Sequence, residues 1–212
     1  MNLVLIISLL KTSESPLSYT NIRSIYSIEE RFQQTLITIE SVKNYIPNCH
    51  IVLLEASQNI EQYDDKFKKI VNEYYNFNYN KEVIYSTESQ HKGLGEAKMM
   101  LEYIMYNDIS KFSSLIKISG RYYLNNTFEY KHFTNTNNIF RSLDNRKVVS
   151  TRLYKINSDY FTEFMDNLKK SITPLQEGKS IEHVFYLLMK YTHINHLGLS
   201  GNISVNGSFI NE

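Results

Sequence analysis

Two short segments concentrate the residue types that recognise phosphate. Gln90-His91-Lys92-Gly93-Leu94-Gly95-Glu96-Ala97-Lys98 holds two of the 7 glycines of this 212-residue chain within three positions. Average usage would give roughly 15 glycines in this length. None precedes Gly93, so a glycine kept here answers a backbone need. Amides exposed at a helix start, with Lys92 or Lys98 beside them, suit a phosphate or pyrophosphate. The alternative is a tight turn into a helix with no ligand. The spacing matches neither G-x-G-x-x-G nor G-x-x-x-x-G-K-S/T, which leaves a dinucleotide fingerprint and a P-loop unsupported. In the second segment, Ser119-Gly120-Arg121-Tyr122 follows the apolar run Leu115-Ile116-Lys117-Ile118. Arg121 can fork onto a phosphate or carboxylate, and Gly120 lets a ligand approach the backbone. The alternative is a β-bulge whose arginine pairs with a nearby acid. Lys117 and Arg121 both lie where a core strand emerges, which favours the ligand reading.

Further candidates lie elsewhere along the chain. Arg23-Ser24-Ile25-Tyr26 joins an arginine to an aromatic ahead of a helix, so a base or sugar stacked on Tyr26 with Arg23 on a phosphate is one reading. Glu29, Glu30 and Arg31 read as a solvated first turn suited to the helix dipole. Glu55 either accepts from a ribose hydroxyl or base imino group, or makes a salt bridge at a sheet end. Glu182, in a first helical turn with His183, is either a general base toward an acceptor hydroxyl or a carboxylate favoured by the dipole. His193 and His196 lack an Asp or Glu at ligand spacing and read as ordinary histidines, with no metal site. Asp64-Asp65 reads as capping and surface charge.

The elements that must position these residues follow from periodicity. Leu3–Leu10 is apolar on both faces, as a central parallel strand must be. A polar stretch, Lys11–Ser27, leads to a helix that opens with the capping-box pair Ser27 and Glu30, continues through Ile28, Phe32, Leu36, Ile39, Val42 and Ile46, and stops at Pro47. His50–Leu54 is a second strand. A helical stripe of Phe67, Ile70, Val71 and Tyr74 follows, then a short strand at Glu82–Tyr85, giving β-α-β-α-β with right-handed crossovers. Leu94, Ala97, Leu101, Ile104 and Met105 make a helix, Leu115–Ile118 a strand, and the Asn-rich residues 125–145 a loop or insertion with a short helix. Val148–Leu153 is a further strand, two helices run through Tyr160–Leu168 and Ile181–Met189, and Leu197–Gly207 adds a strand or hairpin. The expected fold is a single α/β/α three-layer sandwich over 1–212, with a mixed, mostly parallel sheet. In such sheets the ligand sits beyond the carboxyl ends of the strands, which selects Lys11–Tyr26, Glu55–Ser57, Ser86–Gly95, Ser119–Tyr123 and Arg152–Lys155.

Bulk properties narrow the classes. Lys+Arg 23 against Asp+Glu 22 gives +1 with no long run of either sign, so the chain has no electrostatic footprint for nucleic acid or an anionic membrane. The apolar start lacks the charged flank and cleavage site of a signal peptide and is too short to span a bilayer. The single cysteine, Cys49, reads as a buried or edge thiol and rules out an internal disulfide. A soluble, cytoplasmic protein is expected. The surplus of Asn, Ile, Lys and Tyr, with two alanines and no Trp, fits an AT-rich genome.

The order of segments resembles GT-A-fold glycosyltransferases. The strand Leu3–Leu10, R-S-x-Y at Arg23–Tyr26, Q-T-L at Gln34–Leu36 and I-V-L-L-E-x-S at Ile51–Ser57 carry the resemblance in the first half. K-G-L-G-E-A at Lys92–Ala97 and K-I-S-G-R-Y at Lys117–Tyr122 extend it. The closest similarity is to small viral and bacterial domains related to WavE-type polysaccharide biosynthesis proteins, and a viral chain would act in host cytoplasm. The resemblance implies a nucleotide-sugar donor, UDP-sugar first, and a glycan hydroxyl as acceptor. Residues 1–120 would bind the nucleotide and 121–212 face the acceptor. Lys11, Thr12, Arg23, Tyr26 and Glu55 would contact the nucleotide. The diphosphate would meet Lys92, Gly93, Gly95, Lys117, Ser119, Gly120 and Arg121, with Glu182 and Arg121 catalytic. One departure stands out: the sequence has no D-x-D, and Ser119-Gly120-Arg121 occupies its place. Many relatives use that pair to hold Mn²⁺ or Mg²⁺ against the diphosphate. Arg121, Lys117, Lys92 and the amides near Gly93 and Gly95 offer positive charge instead, and the need for a divalent metal stays open. Two rivals remain. A sugar-nucleotide nucleotidyltransferase normally has a glycine-rich loop after its first strand, whereas residues 11–27 contain no glycine. A GT-A-like domain that binds a glycan or partner without turnover is consistent with the lost carboxylates.

Overall fold

The computed structural model describes residues 1–212 except for the side chain of Asp144. Strand β1 (Asn2–Ile7) is covered on both faces: Leu3 and Leu5 enter one hydrophobic core, Val4 and Ile6 the other. Helix α1 (Ile28–Tyr45) opens at Ser27, whose hydroxyl accepts from the Glu30 amide while the Glu30 carboxylate accepts from the Ser27 amide. This is the capping box read from the sequence. Next come β2 (Cys49–Glu55), α2 (Glu61–Ile70), β3 (Glu73–Asn76), α3 (Lys81–Glu88) and α4 (Lys92–Tyr106). The second half holds β4 (Ser114–Ser119), β5 (Tyr122–Leu124), β6 (Ile139–Phe140), β7 (Ser142–Leu143), β8 (Val148–Val149), β9 (Leu153–Asn157), α5 (Phe161–Gln176), α6 (Ile181–Leu188), β10 (Thr192–His193), β11 (Leu199–Asn202) and β12 (Phe209–Asn211).

Seven strands form the central sheet in the order β10-β6-β9-β4-β1-β2-β3. Only β9 runs against its neighbours, so the sheet is mixed and mostly parallel. Residues of α3 to α6 cover the face carrying Leu3 and Leu5, and α1 and α2 cover the other, which makes three layers. A smaller sheet, β12-β11-β5, joins the α1 side. Thr38 donates to the Tyr122 carbonyl at 2.8 Å and Ser41 Oγ accepts from the Leu124 amide at 3.0 Å, fixing β5 to α1. The chain steps outward from β1 to β3 and then returns to the opposite flank of β1 as β4. The loops after β1 and β4 therefore diverge, and a crevice opens between them at the switch point. No helix among the described residues is long and apolar enough to cross a membrane.

Several elements differ from expectation. Glu82–Tyr85 is helical, inside α3, because the Asn80 side chain accepts from the amides of both Glu82 and Val83 at 3.1 Å and nucleates a turn. The strand lies earlier, at β3: α2 stops at Ile70, and Tyr74 touches it from the sheet, its ring 5.6 Å from Phe67. Asp64 does not cap; it accepts the Tyr74 hydroxyl at 2.6 Å, and the α2 N-cap is Ile60. Short apolar runs fit either period, so contacts outside the run decide. The strand expected at Val148–Leu153 splits into β8 and β9, which puts Lys155 inside the sheet. Residues 125–145 contain a 3₁₀ turn at Tyr130–Phe133 and also β6 and β7.

Residues Ser8–Leu10 leave the sheet because Glu55 captures them. Its carboxylate is fully buried and accepts from the backbone amides of Leu10, Ala56 and Ser57 at 2.9–3.2 Å and from Ser57 Oγ at 2.6 Å. It is a brace at the ends of β1 and β2, and the expected ribose contact is corrected accordingly. Each buried amide left unsatisfied costs about 1–3 kcal/mol. Glu55→Ala is therefore expected to lower the unfolding free energy by at least about 3 kcal/mol in urea denaturation, and an unshifted midpoint would refute the brace.

Candidate functional site

The crevice at the carboxyl ends of β1 and β4 consists of two adjoining cavities. One is lined by Thr12, Arg23, Arg31 and Met99 among others. The second extends toward α6 and is lined by Tyr19, Arg152 and Glu182. Lys92, Glu96, Ser119 and Arg121 line both, so the two share a wall.

Beneath that wall lies Lys117, whose side chain is fully buried. Its ammonium donates to Glu96 Oε1 at 2.6 Å, Ser119 Oγ at 2.8 Å and the Thr151 carbonyl at 2.6 Å. Burial pushes its pKa down and Glu96 draws it back up. All three donors are committed, so Lys117 positions Ser119 and Glu96 and does not itself reach a ligand.

The cations above it are differently placed. Arg121 projects into both cavities; its guanidinium lies 5.4 Å from the Tyr122 ring, and its buried Nε has no hydrogen-bond partner. Lys92, the first residue of α4, donates to Ser204 Oγ at 3.2 Å. The Arg121 charge, then burial and the Arg31 charge, hold its pKa well below the ordinary lysine range. Arg31 is buried and not solvated as expected from its place in a first turn. Its Nε donates to the Leu9 carbonyl at 2.6 Å and one terminal nitrogen to Ser24 Oγ at 3.2 Å. Burial and then Arg121 push its pKa down, which Glu55 partly opposes. Among the described residues none of the three makes an ion pair. Arg152, in contrast, is tied to Glu212 at 2.6 Å.

Other expected site residues serve the frame. Arg23 donates to the Ser15, Thr87 and Glu88 carbonyls at 2.6–3.0 Å and also to that of Ser89. It thereby caps the exposed carbonyls at the end of α3 and clamps the loop after β1 across them. It lines the first cavity as a brace, not as a free phosphate ligand. Gly93 and Gly95 sit inside α4: a Cβ at Gly93 would lie 2.7 Å from Ile181 Cβ, and one at Gly95 would lie 2.8 Å from Thr87 Cα. Close packing of α4 on α6 and α3 explains both glycines, although each still borders a cavity. Gly120 is packed against the end of β1 and Thr35 within α1, donating to the Ile7 carbonyl at 2.8 Å, and borders neither cavity. Lys11 and Tyr26 are also outside both linings. The Lys11 amide donates to Ser57 Oγ at 2.9 Å, and the Tyr26 hydroxyl lies near Gly207. Thr12, Lys92, Ser119, Arg121 and Glu182 do converge. Glu182 stands in the first turn of α6, where Thr151 Oγ1 approaches it at 3.5 Å.

Sequence reasoning missed Arg31, Glu96 and Tyr19. Arg31 carried a usable signal: it falls on the buried stripe one position before Phe32, yet first-turn charge suggested solvent. Glu96 lay within the singled-out motif, where the glycines drew attention away from it.

Glycosyltransferases are among the solved structures to which the chain is similar. The galactosyltransferase LgtC, determined with donor and acceptor sugar analogues, superimposes with a TM-score of 0.52 at 8% identity, covering 88% of this chain and 69% of that one. Glycosyltransferase GlyE of Streptococcus pneumoniae gives 0.47 at 9% identity over 87% of this chain, which spans 42% of the GlyE chain. Mouse xyloside xylosyltransferase 1 gives 0.46 at 5% identity, covering 89% and 80%. No protein-family model and no curated protein matches the chain. The likeness to LgtC shows the fold alone: the chain has the GT-A-like arrangement that the sequence resemblance implies.

The mutual effect of the cations is testable without a ligand. Arg121→Gln removes the largest influence depressing Lys92, so the Lys92 pKa should rise toward that of free lysine. Carbon NMR of the Lys92 Cε reads this directly; an unmoved titration would show that the two heads are not coupled.

Proposed function

We propose that the chain transfers a sugar from a nucleoside-diphosphate sugar, a UDP-sugar in the first instance, to a hydroxyl of a glycan acceptor. The observation that carries this reading is the meeting of Arg31, Lys92 and Arg121, none in an ion pair among the described residues, with the Glu182 side of the crevice. The diphosphate of a sugar nucleotide carries two negative charges and gains a third as it leaves, so three cations match the departing nucleoside diphosphate, whose oxygens can accept from all of them. The GT-A-like fold supports the reading, since the crevice lies at its switch point.

The roles follow from position. Arg121 and Lys92 line both cavities and hold the diphosphate at their junction, with Arg31 behind it. The donor sugar then faces the second cavity. There the acceptor oxygen bonds to the anomeric carbon and the bond to the terminal phosphate oxygen breaks. The nucleoside diphosphate departs with the electron pair, and Glu182 takes the hydroxyl proton. The cations stabilise charge where it develops, on the leaving phosphate. Tyr19, with an exposed ring at the rim of the second cavity, offers a surface for a sugar face.

Calorimetry against UDP-, GDP- and CMP-sugars, followed by product analysis with oligosaccharide acceptors, tests the proposal. Binding of one donor class with transfer or slow hydrolysis is expected. Binding without turnover would leave a non-catalytic glycan- or partner-binding domain, and failure of every donor would remove the donor site. Glu182→Gln is expected to lower kcat about 10²–10⁴-fold with donor KM little changed.

A further inference from the structure

The GT-A resemblance carries a divalent cation with it, because relatives with D-x-D hold Mn²⁺ or Mg²⁺ against the donor diphosphate. The residues present do not fit such an ion. Ser119-Gly120-Arg121 stands at the end of β4 where the carboxylates would be. Among the described residues no group of three or more His, Cys, Asp or Glu side chains is placed to hold a metal. Of the crevice carboxylates, Glu96 is bound to Lys117 at 2.6 Å, and Glu182 stands on α6 beside Thr151. Hard divalent cations want several oxygen ligands, and this wall presents nitrogen cations instead.

The donor set suits an anion. Arg121 depresses the pKa of both Lys92 and Arg31, and Arg31 depresses that of Lys92, so the three heads share one electrostatic space. The buried Nε of Arg121 is a donor with nothing to donate to. Like charges gathered in a partly desolvated crevice repel, and an unfilled buried donor is unfavourable. A metal ion placed among them would add to the repulsion, whereas phosphate oxygens would relieve it.

Resting on the donor-site reading above, we infer that Arg31, Lys92 and Arg121 bind the donor diphosphate directly, with no divalent cation between protein and phosphate. Arg121 supplies a planar fork and Lys92 a movable point charge. As the anomeric bond breaks, these cations take up the charge gained by the leaving phosphate, the part a metal plays elsewhere.

The test is calorimetric titration of the full chain with inorganic pyrophosphate and with UDP, each in EDTA and again with excess Mg²⁺ or Mn²⁺. Saturable binding in EDTA is expected, unchanged or weakened by the metals, which compete for the ligand. Arg121→Gln should weaken binding about 10–100-fold, and Arg121→Lys should recover only part of the loss. If Arg121→Gln does not fold, as judged by its thermal melt, Lys92→Ala is expected to weaken binding in the same way. Undiminished affinity in a folded variant, or binding seen only with added metal, overturns the inference, the latter while leaving the transferase reading in place. Metal-free binding of pyrophosphate without turnover of any sugar nucleotide upholds the inference and overturns the transferase reading. No binding of either ligand in either condition overturns both.

Discussion

A buried ammonium holds the crevice together. Lys117 points from the central strand β4 into the buried interior and reaches Glu96 on α4, Ser119 at the strand end and the Thr151 carbonyl between β8 and β9. Taking a charge out of water costs several kcal/mol, and only a complete set of partners makes it tolerable. The three segments that form the wall are therefore locked to one atom. Chemistry follows from the same contact: because Lys117 engages Glu96, that carboxylate does not neutralise Arg121 or Lys92 by direct pairing.

The remaining braces serve the same end. Glu55 pulls the chain out of β1 at Leu10, and Arg23 ties the following loop across the end of α3. Ser204, from the segment after β11, accepts from Lys92 and donates to the Arg23 carbonyl at 3.0 Å, while its own carbonyl accepts from the Ile25 amide at 2.8 Å. The first cavity is thus walled by chain segments distant in sequence, each held by a fully engaged polar group. Among the residues that line this frame, Arg121 keeps a buried donor, Nε, without a partner. Proteins commonly give up some stability at a functional site, and under the proposed function the repulsion among Arg31, Lys92 and Arg121 is such a concession.

Much of this was legible in the sequence. β1, α1, β2, α4 and β4 declared themselves through apolar pattern and the Ser27–Glu30 cap, and the switch-point rule then pointed to the end of the sheet where the crevice lies. That Arg121, Lys92, Ser119 and Glu182 line the crevice was legible because they sit at strand ends or helix starts, positions fixed by local structure. What failed was what depends on distant partners. Lys117, Arg23 and Glu55 have the residue types of ligand contacts, but acceptors or amides from other segments claim their atoms. Gly93 and Gly95 were kept for helix packing, a requirement set by Ile181 and Thr87 far along the chain. β3 and α3 were exchanged because the deciding contacts, Asn80 on two amides and Tyr74 on Asp64, lie outside the runs that periodicity reads.

A crystal structure of the chain with a non-hydrolysable sugar nucleotide, grown in the presence of a chelator, bears most directly on these conclusions. It should show phosphate oxygens about 2.7–2.9 Å from Arg121 and Lys92, with the sugar turned toward Glu182. A nucleotide lying outside the crevice, or phosphates that never touch Arg121, would contradict the assignment.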